Sequence, residues 1–183
     1  GQGLHHPAKV HQPQRHRMLV LAAPTVIPTY ELVIVILFTF SSTIFYILLL
    51  GERRVWGLLG RRAAGVAEGD IRFVHRMLNV FITVLPPSNG ITVVGGLAAL
   101  LWQGVAREWD WRALVVLGWY LTLQVYIIAV GRIASAIRAV KGEDSDGPLE
   151  RVRQGVADLV RQHRNGCVHA LGVLVLELSL IVL

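Results

Sequence analysis

The sequence predicts an all-α integral membrane protein: a bundle of four transmembrane helices with a kinked second helix and a short amphipathic interfacial helix. Three observations lead there. Of 183 residues, 54% are hydrophobic and the mean hydropathy is +0.54, whereas about 45–50% apolar content is usual in soluble domains. The charges are gathered into blocks between long apolar runs, the layout of a polytopic membrane protein. The run Met77 to Trp102 is long enough to cross a bilayer, yet Pro86-Pro87-Ser88-Asn89-Gly90 interrupts it. Lipid tolerates such a break only where neighbouring helices, side chains or a wet cavity satisfy the freed backbone groups.

Residues 1–28 form an extramembrane arm ahead of a membrane domain over 29–183. Residues 1–17 are polar and without period. They read as a real arm or as read-through ahead of a start at Met18. Pro24 and Pro28 interrupt the apolar patch after Met18 too early for a signal peptide. The first span covers about 30–50, about 31 Å of helix at 1.5 Å per residue. It carries Glu31 in its first turn, where a carboxylate suits the positive helix end, and a polar notch at Ser41, Ser42 and Thr43. Asp70 is the expected N-cap of a helix running into the second span, about 77–102, with Pro86, Pro87 and Gly90 as its kink. Ser88, Thr92 and Gly96 form a small-residue stripe there at four-residue steps, with Gly95 and Ala99 beside it, matched by Gly118 and Thr122 in the third span, about 113–133. Such stripes let helices approach closely, so spans two and three are expected to pack together. After the turn at 141–148, Leu149, Val152, Val156, Leu159 and Val160 recur at helical spacing. The resulting short helix, with Pro148 at its first position, is expected to lie at the membrane surface, ahead of a fourth span at 166–183.

Lys and Arg set the orientation. The connection after span one holds six of them, the connection after span three seven counting Arg132, the one between spans two and three only two, and the N-terminal tail three. Positive-inside counting places 51–76 and 134–165 in the cytoplasm and both termini outside. Tyr30, Trp102, Trp109 and Trp111 then fall at the outer interface and Trp56 at the inner one. A net charge of +6 and a pI near 10.2 suggest nucleic acid at first. The confinement of Arg to two connections assigns that charge to topology and anionic lipid headgroups instead.

The sole cysteine, Cys167, rules out an internal disulfide and a Cys-based metal site within one chain. The seven His form no ligand cluster, and no metal is predicted. Ser88, Asn89, Gln124 and Glu177 fall within the spans and are the expected intramembrane polar layer. Polar groups at such depth are functional candidates, or they are glue between helices. His75 and His169 both fall near the inner face and are the candidate ligands for a haem. No nucleophile elbow, phosphate loop or paired-carboxylate site is visible, and no catalytic residue is assigned.

The Arg-rich first inner connection (Arg53 to Arg76), the Pro-containing second span followed by Gly95-Gly96-Leu97, and Arg164 leading into the last span resemble small bacterial four-helix integral membrane proteins of the copper-resistance-D-like group. The resemblance covers about 30–183 and implies a bacterial inner-membrane protein. The first span lacks the His that redox-active relatives such as membrane protoporphyrinogen oxidases carry there, so no site residue transfers. The functional expectation is a non-catalytic subunit that stabilises a larger respiratory, photosynthetic or transport complex. The alternative is a small redox enzyme or a haem- or quinone-binding protein that uses the polar layer.

Overall fold

The computed structural model describes residues 27–60, 65–130 and 132–182, except for the side chains of 86–89, 123 and 130. The expected N-terminal arm lies outside the described residues up to Ile27. Helices α1 (Thr29–Gly51), α2 (Glu68–Val84), α3 (Pro86–Ala106), α4 (Trp111–Val125), α5 (Ile133–Gly142) and α6 (Leu149–Val182) make up the fold. A 3-10 segment, Glu52–Leu59, continues α1, and a π segment, Tyr126–Val130, continues α4. Three helical stretches are long and apolar enough to cross a membrane: Thr29–Leu59, Trp111–Ala129 and Leu149–Val182.

The expected second span divides into two helices. Leu85 joins α2 to α3, and prolines occupy the first two positions of α3. Neither proline has an N–H with which to extend the α2 ladder, whereas both suit a helix start. Gly90 lies within regular helix and takes no part in the break. The expected span of 77–102 is therefore corrected: the apolar helix beyond the break is Gly90–Ala106. The N-cap of α2 is Ala67 rather than Asp70. Asp70 instead pairs with Arg54 at 3.3 Å, drawing the 3-10 segment onto α2.

The expected interfacial helix is also corrected, because 149–182 is one helix of 34 residues. At 1.5 Å per residue it is about 51 Å long. Asn165-Gly166 does not end it, since no proline follows and Gly166 keeps helical backbone. Along α6 the exposed face changes from Arg151, Gln154, Arg161 and Arg164 to Val168, Leu171, Val175 and Leu178. One helix thus carries a charged outer face and then an apolar one, the polarity change of a membrane boundary.

Two hydrophobic cores follow from this. The first joins the 3-10 segment, α2, α5 and the start of α6 through Val55, Leu58, Ile71, Val74, Leu78, Val140, Val152 and Val156. On α2 the buried set Ile71, Val74, His75 and Leu78 has the i, i+3, i+4, i+7 spacing of an amphipathic helix. Arg72 closes the turn before α6, donating to the carbonyls of Ser145 at 2.6 Å and Gly147 at 3.0 Å. The connections expected at 51–76 and 134–165 are therefore a packed helical layer among the described residues. The second core joins α1, α3, α4 and the end of α6 through Ile34, Phe38, Leu100, Val116, Tyr120 and Val173. Within the small-residue stripe of α3, Gly96 lies against Phe38 of α1 and, next, Tyr120 of α4, so α3 packs on both helices. A Cβ on Gly96 would stand 3.0 Å from Phe38 and one on Gly95 3.6 Å from Leu37, while one on Gly118 would meet nothing within 4 Å.

Candidate functional site

The two irregular joints of the fold face a common space. Leu85 at the α2–α3 break and Ile127 in the π segment both line a cavity of about 430 Å³. Departures from α geometry withdraw backbone and side chains from regular packing, and π turns occur frequently at functional sites. The rest of the wall is largely apolar: Phe38, Phe45 and Leu48 from α1, Phe81 and Ile82 from α2, Ile133 and Ile137 from α5. Into it project a few polar groups, Ser41, Thr92, Tyr120, Gln124, Lys141, His163 and His169. An apolar cleft with few, separated polar groups is the usual form of a small-molecule site.

Two histidines of α6 distinguish this cavity. His169 is 4% exposed, and neither of its ring nitrogens has a hydrogen-bond partner among the described residues. Its ring lies 5.6 Å from that of Tyr120. The Tyr120 hydroxyl donates to the Val93 carbonyl at 2.7 Å, so its proton is committed elsewhere. His163 is held from behind by Glu52: its Nδ1 hydrogen-bonds Glu52 Oε1, and the Glu52 carboxylate is fully buried. The other Glu52 oxygen has no partner among the described residues. Glu52 reaches this place because the chain continues from α1 into the 3-10 segment, whose buried side also includes Val55 and Leu58. Between the two histidines lies Gly166, against which the Phe45 ring packs.

Of the expected polar layer, Gln124 and Glu177 are placed apart. Gln124 lines the cavity. Glu177 lies apart from it, fully buried, and accepts a hydrogen bond from Gln103 Nε2 at 2.6 Å. The side chains of Ser88 and Asn89 lie outside the described residues. Ser42 spends its hydroxyl on the Phe38 carbonyl at 2.7 Å. Near Glu177, Arg107 reaches Glu31 at 2.6 Å and Asp110 at 3.2 Å, tying the end of α3 to the start of α1. Asp110 also accepts the Ala113 N–H at 2.9 Å and so starts α4. That bond first, and Arg107 next, hold the Asp110 carboxyl below its ordinary value.

The structure does not bring His75 and His169 together. His75 belongs to the first core, with Nδ1 2.9 Å from Ser145 Oγ in the turn ahead of α6. His169 sits in the second core, twenty residues beyond the start of α6 and so about 30 Å along it. Burial pushes the His75 imidazole below its ordinary value, against the opposing pull of the Val140 carbonyl and of Glu143 and Asp144.

Sequence reasoning missed His163, Glu52 and Gln103. One signal was present: His163, Gly166 and His169 recur at steps of three, a pattern that keeps a glycine between two imidazoles on neighbouring faces of one helix. Glu52 and Gln103 carried no such signal, since each stood at the edge of an apolar run where charged and polar residues are ordinary. No family model, no curated protein and no solved structure matches this chain.

Proposed function

We propose that the protein is an integral membrane protein of four crossings that holds a lipophilic small molecule in the cavity beside His169, without itself catalysing a reaction. The crossings are α1, α3, α4 with its π continuation, and the second half of α6. Gly90–Ala106, at 17 residues, gives about 25 Å of helix, slightly less than a bilayer core, a mismatch that local thinning absorbs. The distribution of Arg puts the first core on the cytoplasmic side of a bacterial inner membrane, where Arg54, Arg76, Arg151 and Arg161 meet anionic headgroups. Both termini then lie outside.

The observation that carries the binding reading is His169, unpartnered among the described residues. A buried polar group left without a hydrogen bond costs about 1–3 kcal/mol, and a ligand oxygen in the cavity recovers it. The test is solvent extraction of protein purified in mild detergent, followed by mass spectrometry. An apolar molecule at about one per chain is expected from the wild type and should be lost from Thr92→Trp, which fills the cavity. Equal recovery from both proteins, or failure of every lipophilic probe to enter the wild type, overturns the reading.

A second reading, the stabilising subunit of a larger complex, is favoured by the face of α4. Trp111, Val115, Trp119 and Tyr126 share one side of the helix and are all exposed, although lipid-facing Trp ordinarily sits at the interface rather than at mid-span, as Trp119 does. The two readings are compatible in one protein. Purification in mild detergent that returns only the lone chain counts against the second.

A further inference from the structure

We infer that the occupant of the cavity carries a ring with oxygens at opposite ends, a para-quinol or its quinone, held between His163 and His169. This rests on the cavity reading above and names its ligand class.

Four features of the site point to that head. His163 and His169 are six residues apart on α6, about 9 Å of rise. They stand about 120° apart around the helix and both line the cavity, where a six-membered ring with one oxygen at each end offers a hydrogen bond to each imidazole. Midway between them the Phe45 ring, and not a side chain of α6, packs over Gly166. Phe45 supplies a flat wall there, its ring centroid 6.3 Å from that of His163, and Tyr120 stands at the His169 end. Rings stack favourably on such walls.

The polar ends of the site are also suited to this ligand. Glu52 accepts from His163 Nδ1, which fixes that imidazole in one orientation and leaves Nε2 as its second hydrogen-bonding atom. Among the described residues, both nitrogens of His169 are uncommitted. A neutral imidazole donates from one nitrogen and accepts at the other, so the pair serves a hydroxyl at one end and a carbonyl or hydroxyl at the other. Fatty alcohols offer one oxygen and leave one imidazole unserved. An isoprenoid or alkyl tail on the ring has an apolar path past Phe81, Ile82 and Ile127.

The probe is decyl-substituted para-benzoquinone, titrated into the full chain in lipid nanodiscs, with tryptophan fluorescence as the readout. Trp119 is the local reporter, since its Nε1 lies 3.4 Å from the His169 carbonyl. Saturable quenching is expected, lost in Trp119→Phe and weakened about tenfold by His163→Leu and by His169→Leu, the loss of one good hydrogen bond in each case. His169→Leu removes a group that has no partner among the described residues, so its thermal unfolding should match the wild type. Should either variant fail to fold, histidine ring nitrogen shifts in the wild type provide the second measurement. The quinone should move those of both His163 and His169, whereas 1-decanol should not move both. Quinone affinity equal to that of decanol, or quenching unchanged in both variants, overturns this inference and leaves the cavity reading standing. If neither the quinone nor decanol enters, the cavity reading itself fails.

Discussion

At the scale of the residue, the buried pair Glu177 and Gln103 is the sharpest case of chemistry under constraint. One hydrogen bond joins them, and Glu177 Oε2 and Gln103 Oε1 have no partner among the described residues. Glu177→Gln preserves a side chain able both to donate to Gln103 and to accept from it, so its unfolding temperature in detergent should equal or exceed that of the wild type. Glu177→Leu strands the Gln103 amide and should cost about 1–3 kcal/mol by the same measurement. His75 sets a pH dependence. Its neighbours are Ser145, Val140, Glu143, Asp144 and Arg72, and burial holds its folded-state value below the ordinary 6.5. A depressed value means that the fold favours the neutral ring, so this stability is present above about pH 6.5 and is lost as pH falls through the folded-state value. Unfolding temperature should therefore drop on acidification below about pH 6.5, and His75→Gln should flatten that drop.

Among the elements, α6 matters most because, among the described residues, it alone belongs to both cores. Its start packs Val152, Val156 and Leu159 into the first core, and its end packs Ala170 and Val173 into the second. The two must keep a fixed rotational register. Inserting one alanine after Arg164 rotates everything beyond it by about 100° relative to what precedes it. That insertion should lower the unfolding temperature sharply and abolish cavity binding, whereas inserting four alanines, a little more than one turn, should restore much of the stability. The contact of α3 with α1 is similarly exacting. A side chain on Gly96 meets the Phe38 ring at once, so Gly96→Leu should destabilise by about 1–3 kcal/mol through overpacking, measured by thermal unfolding. Gly118 has open space around it, and Gly118→Ala should be neutral or better there, since alanine is the stronger helix former.

For the molecule as a whole, the arrangement proposed above makes a topological prediction. In a Cys167→Ala background, Arg151→Cys and Trp111→Cys place single thiols at exposed positions on opposite ends of the bundle. A membrane-impermeant maleimide added to intact cells should label Trp111→Cys and should reach Arg151→Cys only after permeabilisation. The reverse pattern would sink the proposed orientation.

Hydropathy, the Pro86-Pro87 pair and the placement of arginine made the helical class, the apolar helices and the break legible, because each acts through local backbone chemistry or through transfer of a whole segment from water to lipid. The layer built by Val55, Leu58, Ile71, Val74, Ala136 and Val140 was not legible in the same way. Each short segment offers too few apolar residues to signal a core alone, and only their convergence removes them from water. The continuity of α6 through Asn165-Gly166, the meeting of Glu52 with His163, and the cavity between the α2–α3 break and the π segment were likewise decided in three dimensions. The sequence by itself determined which stretches are helical and which are apolar enough for lipid, since those depend on neighbours along the chain. Only the tertiary structure decided which polar groups meet and which remain unpartnered, since that depends on residues more than a hundred positions apart being packed side by side.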